Sequence, residues 1–505
     1  MSALTTDARI AVIGAGAMGA GIAQVAAQAG HRVQLLDSRP GAAAQAIAGI
    51  DRQLGKRVQN GKLEAQAHRA TLDRLQVAES IDSLADSDLI IEAIVENLEV
   101  KQQLFRQLEN LCQPSCILAS NTSSLSITSI AAGLTRPERL LGLHFFNPAP
   151  VMALVEVISG LASDPALARC LYHTAAAWGK KPVHARSTPG FIVNRVARPF
   201  YAESLRLLQE GAADCTTLDA LLREGGGFAM GAFELTDLIG HDVNYAVTCS
   251  VFHAYYGDMR YQPSLIQKEL VDAGHLGRKS GQGFYSYAEG APRPAPSQLE
   301  SQASIDCCEV EGDLGIAREL LPRLREAGIH LTLRDGSGLL RVGDAVLALS
   351  DGRSASQRAR ASGLRNLILL DLAGDFSSAG RIAISCSADT SPQAMEQAVA
   401  LLQRAGLKVS QVTDSPALVV LRSVAMLANE AADALLHGVA SAADIDLAMR
   451  AGVNYPQGPL AWADRIGLAA LLHVLENLQA AYGEERYRPS LLLRRKVAEG
   501  STFHD

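Results

Sequence analysis

The sequence predicts a doubly wound α/β sheet followed by all-α domains, the second of which duplicates the first. Three observations carry this reading. Residues 10–13 form a short β-branched apolar run that breaks at a glycine-spaced turn and continues as an Ala-rich helix to about residue 29. Strand-like apolar runs then alternate with helical stretches as far as residue 158. Finally, residues of the first helical stretch recur, 226 or 227 positions later, in the last hundred residues.

The turn reads Gly14-Ala15-Gly16-Ala17-Met18-Gly19. Gly14 permits the tight strand-to-helix turn, Gly16 lets backbone approach a pyrophosphate, and Gly19 lets helix and strand pack closely. The helix N-terminus, at Ala17 and Met18, turns its free N–H groups and positive dipole end toward the phosphates. Residues 31–36 alternate as a second strand, with Asp37 at its tip, 18 residues beyond Gly19. A carboxylate there grips the ribose hydroxyls of an adenosine and repels a 2′-phosphate, which favours NAD over NADP, Arg39 nearby notwithstanding. This is a Rossmann-type dinucleotide-binding pattern.

Residues 41–75 read as one long helical excursion with many polar positions, and 75–77 as a short strand. Residues 88–95 make a strongly apolar strand that runs into Glu96 and a helix starting near Val100. Residues 115–119 lead into Ser120-Asn121-Thr122-Ser123-Ser124, and 140–146 into His144-Phe145-Phe146-Asn147-Pro148. Residues 155–158 form a further strand, carrying Glu156. Ligands of such sheets lie outside the carboxyl ends of the strands. Glu96, the 120–124 cluster and His144 all fall there.

From about residue 188 the pattern becomes helical, over 191–208, 216–222, 233–239 and 243–255. It closes in a Gly-rich turn at 277–285 that is expected to fold back toward the first domain. The Pro-rich stretch after Ala291 marks a linker. Pro189, Arg195 and Glu203 then recur as Pro416, Arg422 and Glu430, and Asp219, Asp237 and Gly240 as Asp446, Asp464 and Gly467, all at 227. Arg260-Tyr261 recurs as Arg486-Tyr487, at 226. The expected division is a nucleotide-binding domain at 1–187, a helical domain at 188–290, a linker at 291–310, a degenerate Rossmann-like segment at 311–410 and a second helical domain at 411–505.

A net charge of −7 and a pI near 6.0 argue against nucleic acid as a partner. The N-terminus lacks the apolar segment of a secretory signal, and no apolar run approaches the ~20 residues that span a bilayer. The expectation is a cytoplasmic protein with no membrane partner. Eight cysteines in 505 residues make no disulfide framework, and neither Cys112-x-x-x-Cys116 nor Cys307-Cys308 has the spacing of a zinc site, so no metal is expected.

Hydride transfer from a secondary alcohol to a nicotinamide needs a base for the hydroxyl proton. A histidine oriented by a carboxylate suits that task, and His144 and Glu156 are the candidates. Ser120 to Ser124 supply donors for an alcohol or carbonyl oxygen, or a helix N-cap. Together with 188–195 (Thr-Pro-Gly-Phe-Ile-Val-Asn-Arg) and the 277–285 turn, these motifs resemble the L-3-hydroxyacyl-CoA dehydrogenases across residues 8–287. The resemblance implies that His144 is the base, Glu156 its partner, and that Ser123 and Asn194 bind the reacting oxygen or hold the dyad. It implies NAD contacts at Glu96, Lys101, Ser123, Asn147 and Lys279. A helical arm meets the CoA in that family, which makes Gln53 and Asn60 the substrate-binding candidates here.

Adding 227 to His144, Glu156 and Asn194 gives Asp371, Ala383 and Leu421, so the chemistry was not kept in the second half. The second half is expected to be structural, a built-in partner for the first helical domain that makes a pseudo-dimeric monomer, with a homodimer as the alternative. The long form resembles the dehydrogenases of phenylacetate catabolism that oxidise 3-hydroxyadipyl-CoA, and also bacterial 3-hydroxybutyryl-CoA dehydrogenases. A sugar-acid dehydrogenase or a non-catalytic, crystallin-like relative is the more distant reading. A dicarboxylate tail would want a cation at the pocket's far end, and Arg195, Arg198 and Arg206 are the candidates.

Overall fold

The computed structural model describes residues 2–505. The chain divides into two compact units. Unit 1 comprises the chain up to Arg195 together with His437–Val453, and unit 2 comprises Val196–Leu436 and Asn454–Asp505.

Unit 1 is built on an eight-stranded sheet in the order β3-β2-β1-β4-β5-β6-β7-β8. The strands are β1 (Arg9–Ile13), β2 (Arg32–Leu36), β3 (Leu75–Val77), β4 (Leu89–Glu92), β5 (Ile117–Ser120), β6 (Leu140–Phe145), β7 (Leu154–Ser159) and β8 (Lys181–Arg186). Neighbours pair in parallel except β6 and β7, which run antiparallel. Every residue of β4, β5 and β6 is buried, as expected of central strands covered on both faces. Gly14 has φ +106°, and a Cβ there would lie 2.4 Å from the Ala93 carbonyl oxygen. A Cβ on Gly19 would lie 1.7 Å from the Gly14 carbonyl oxygen, so only glycine lets the helix α1 (Ala17–Gln28) sit this close to the turn.

Two expectations for this unit are corrected. The excursion after Asp37 is not one helix but two, α2 (Ala42–Gln59) and α3 (Ala65–Leu72). Gly61 at φ +66° ends the first, because a left-handed residue cannot continue a right-handed helix. The sheet also has an eighth strand, β8, which Pro182 disguises, since proline inside a short run argues against a strand. That edge is covered by the helix Ala442–Val453, and the Arg186 N–H donates to the Val439 carbonyl just before it. Part of the second helical repeat therefore belongs with the first sheet, which a boundary at 411–505 does not describe.

Unit 2 holds a seven-stranded mixed sheet in the order β10-β9-β11-β12-β13-β14-β15. Its strands are β9 (Cys307–Glu311), β10 (His330–Arg334), β11 (Leu339–Val342), β12 (Ala345–Leu349), β13 (Leu367–Leu370), β14 (Arg381–Cys386) and β15 (Lys408–Gln411). β9 starts inside the stretch read as linker, because five residues with two cysteines give little strand signal. The 277–285 turn is held within its own helical unit. The Phe284 and Tyr285 N–H groups, the Tyr287 hydroxyl and the His241 ring all donate to the buried Asp237 carboxylate.

The helices Arg198–Gln209 and Val420–Leu436 pack together in unit 2, and their buried acids answer each other. Glu203 accepts from Tyr487 at 2.9 Å and Arg422 at 2.7 Å, with Arg486 at 3.7 Å. Glu430, 227 residues later, accepts from Tyr261 at 2.6 Å and Arg260 at 3.4 Å. Each copy lends its Arg-Tyr pair to the other's glutamate. Burial alone would raise the Glu203 pKa, but the guanidiniums of Arg422 and Arg486 hold it below the ordinary carboxylate value.

A second correspondence is less direct. β13 and β14 pair antiparallel, and Asp371 at the end of β13 is fully buried. Its carboxylate accepts from the backbone N–H groups of Val419, Val420 and Leu421 at 2.8–3.0 Å, fixing the start of the helix Val420–Leu436. Burial pushes its pKa up to about 6 against those donors. Asp371→Ala should lower stability by about 2–4 kcal/mol, since three buried donors lose their acceptor. Thermal unfolding checks this; an unchanged midpoint would mean the amides find water instead.

Candidate active site

β6 and β7 place His144 directly opposite Glu156 in register. Both side chains are buried, and the His144 Nδ1–H donates to Glu156 Oε2 at 2.6 Å. A carboxylate only accepts, so Nδ1 carries a proton, and in the neutral ring Nε2 is then the nitrogen with the lone pair. Phe146 and Phe191 flank the imidazole at 4.5 and 5.9 Å between ring centroids, giving it an apolar wall. Glu156 Oε1 accepts the N–H groups of Ile192 and Val193 at 3.0 and 3.1 Å. These open the short helix Val193–Val196, which carries the half-buried Asn194. One carboxylate thus orients the ring and anchors the backbone beside Asn194.

The hydroxyl loop after β5 is held by a second carboxylate. Glu96 Oε1 accepts from the Thr122 hydroxyl at 2.5 Å, the Ser123 N–H at 3.0 Å, and the Ser124 N–H and hydroxyl at 3.1 and 2.9 Å. Burial works to raise the Glu96 pKa, yet these donors and Lys101 lower it overall. Asn121 Oδ1 accepts the Phe145 N–H at 2.8 Å, tying the loop to the residue after His144. Lys101 lies beneath, its ammonium 2.5 Å from Glu92 and 3.3 Å from Glu96. Only 1% of that side chain is exposed, so its cation faces the protein and supports Glu96 from below. Glu92, which also accepts the Ser120 hydroxyl at 2.6 Å, escaped the sequence reading. An acid inside the apolar run of β4 was the available signal.

Two cavities flank the glycine turn. One, of about 800 Å³, is lined by Gly14, Gly16, Asp37 and Arg39, with apolar walls from Ile81, Ile94, Val100 and Leu104. Asp37 Oδ2 accepts the Ala15 N–H at 2.7 Å. The Arg39 side chain, bonded to Oδ1 at 3.1 Å, holds the Asp37 carboxyl at about 2. A Cβ on Gly16 would meet nothing within 4 Å, so open space lies where the phosphates of a dinucleotide would go. An apolar slot, an anionic carboxylate and a free helix N-terminus together fit an adenosine diphosphate. The second cavity, about 330 Å³, brings Gly16 and Ala17 together with Asn147 and Gln53. Met18 packs on the core, and Asn60 is an exposed C-cap of α2, outside both cavities. Lys279, on the 277–285 turn of unit 2, is ion-paired with Asp242.

Known proteins resemble this chain over nearly its whole length. A family profile described as "3-hydroxyacyl-CoA dehydrogenase, NAD binding domain" matches residues 9–188. Its companion, "3-hydroxyacyl-CoA dehydrogenase, C-terminal domain", matches both 190–287 and 418–502. A third, "3-hydroxybutyryl-CoA dehydrogenase reduced Rossmann-fold domain", matches 347–416. The chain is 47% identical to the 3-hydroxyadipyl-CoA dehydrogenase of Escherichia coli K12, over 97% of both chains. It is 41% identical to a probable 3-hydroxybutyryl-CoA dehydrogenase of Bacillus subtilis, over 56% of this chain and 98% of that one. A crystal structure of 3-hydroxybutyryl-CoA dehydrogenase from E. coli K12 superposes with a TM-score of 0.89 at 46% identity, covering 98% and 99% of the two chains.

Removing the Asp37 carboxylate tests the nucleotide cavity. Asp37→Ala should weaken NAD binding about 10- to 100-fold, the scale of a lost charge-assisted hydrogen bond, and narrow the preference over NADP. Titration with both nucleotides measures it, and equal NAD affinity in the variant would move the ribose elsewhere.

Proposed function

The chain belongs to the 3-hydroxyacyl-CoA dehydrogenase family, and from that premise we propose that it oxidises (S)-3-hydroxyadipyl-CoA to 3-oxoadipyl-CoA. NAD is the oxidant of the family, and bound in the cavity of Gly14, Gly16 and Asp37 it supplies the acceptor for the hydride leaving C3. Every other part falls to the protein. His144 takes the hydroxyl proton on Nε2, and the cation that forms is stabilised by Glu156 across the Nδ1 bond. Ser123 and Asn194 donate to the oxygen as it becomes a carbonyl. Glu96 holds the Ser123 loop with Lys101 behind it, and Phe146 and Phe191 keep water from the imidazole. Gln53 on α2 and Asn60 at its C-terminal cap are assigned to the CoA, with Gln53, which shares a cavity with Asn147, the stronger of the two.

The observation that carries this reading is the buried bond of 2.6 Å between His144 and Glu156. The adipyl group rests on the name of the long relative. A second reading, 3-hydroxybutyryl-CoA, rests on the name of the similar crystal structure. The reciprocal pairs at Glu203 and Glu430 favour a chain that forms its helical dimer internally, acting in the cytoplasm as a pseudo-dimeric monomer. We read the chain as two nucleotide-binding-like segments and two helical ones, with β9 moved out of the linker and residues 437–453 moved out of the second helical domain.

Initial rates of NAD reduction with the two CoA esters test the proposal. His144→Gln should lower kcat by about 10²–10⁴ with NAD affinity unchanged. A variant as fast as the native chain would remove His144 from the chemistry.

A further inference from the structure

Asp37 follows β2, and the chain reaches α2 through the turn Arg39-Pro40-Gly41-Ala42. The Ala42 N–H returns to the Arg39 carbonyl at 3.2 Å and Gly41 takes φ +78°, the pattern of a turn with proline second and glycine third. The turn fixes the backbone at Arg39. Its side chain is 72% exposed, so it can swing without disturbing the core. Here it folds back on Asp37, whose own side chain is only 9% exposed.

An ionised carboxylate offers about four lone-pair positions to donors, and on Asp37 all are taken. Oδ1 accepts the Arg39 backbone N–H at 2.9 Å and its Nε–H at 3.1 Å. Oδ2 accepts the Ala15 N–H at 2.7 Å and the Arg39 Nη2–H at 3.4 Å. The two backbone amides aim the carboxylate at the glycine turn. The other two places belong to one guanidinium, and a ribose diol that grips Asp37 needs them. Asp37 is the only acid ion-paired with Arg39 among the described residues, and a pair this exposed is weak enough to be displaced. The charged residues lining the cavity are Asp37, Glu79 and Arg39. The balance is negative, which ranks NAD above NADP, yet one cation stands within it.

We infer that Arg39 is a competing gate on Asp37: it holds the places the ribose diol takes, swings off when NAD binds, and receives the 2′-phosphate when NADP binds. The inference rests on the nucleotide reading of this cavity and adds NADP as a second oxidant of lower affinity. The 2′-oxygen that carries the phosphate belongs to the diol that Asp37 grips, so the phosphate arrives beside the displaced guanidinium. A guanidinium presents a planar fork of donors that matches phosphate oxygens.

Titrating the full chain with NAD and with NADP tests this, for the native protein, Arg39→Ala and Arg39→Lys. Arg39→Ala should tighten NAD by about two- to fivefold, the scale of a released exposed ion pair, and weaken NADP by about tenfold or more. Arg39→Lys keeps the charge without the fork and should recover part of the NADP affinity. Combination with Asp37→Ala separates the two duties. Without the carboxylate, the gain in NAD affinity from Arg39→Ala should disappear, while the loss of NADP affinity should remain. Shifts of both nucleotides in the same direction would make Arg39 a structural residue and overturn the inference. Weaker NAD binding in Arg39→Ala overturns it too, because the guanidinium would then hold Asp37 in place for the ribose. A native chain that binds NAD but no NADP sinks this inference alone, whereas one that binds neither sinks the reading of the cavity with it.

Discussion

A carboxylate taken out of water has to be surrounded by donors, and the way Glu156 meets that demand organises the candidate site. One oxygen accepts the His144 ring and the other accepts the N–H groups of Ile192 and Val193. Ring orientation and the path of the backbone into Asn194 are therefore properties of one group. A shift in either would leave a buried acceptor short of a partner, at a cost of about 1–3 kcal/mol. The sheet makes this possible, because the antiparallel pairing of β6 and β7 sets residues 144 and 156 side by side.

The second half of the chain shows what remains when chemistry is removed and the structural demand persists. Position 371 corresponds to His144 and position 383 to Glu156, where an alanine now stands. The helix that follows still needs its first amides satisfied, and Asp371 satisfies them from the opposite strand of the pair. The carboxylate changed strands while its partner amides kept their place in the repeat. Nothing there plays the part of the imidazole, which fits a half of the protein that serves as scaffold.

Much of this was legible in the sequence wherever a short stretch carries its own physics. The glycine turn, the apolar runs of β4 to β6, Asp37 at a strand tip and the polar ends at Glu96, Ser123 and His144 each follow from neighbours within a few residues. The repeat at 227 was legible because Arg, Tyr and Glu recur in fixed order. Features that depend on distant packing were not. β8 is a strand despite Pro182 because β7 supplies its bonds and residues 437–453 cover it. The 277–285 turn closes on Asp237 because Phe284 and Tyr285 place their amides there. Glu92 and Lys101 neutralise each other across nine residues of strand, loop and helix.

The central claim is that Glu156 sets the tautomer of His144 while anchoring residues 192 and 193. Glu156→Gln separates the two duties. The amide oxygen can still accept the backbone N–H groups, but its NH₂ would donate to Nδ1 and leave the proton on Nε2, the atom that must act as base. The account predicts a folded protein with a near-native melting temperature and NAD affinity, whose kcat falls about 10²–10⁴-fold. A Gln variant that keeps the native rate would contradict it, because the imidazole would then need no carboxylate to serve as base.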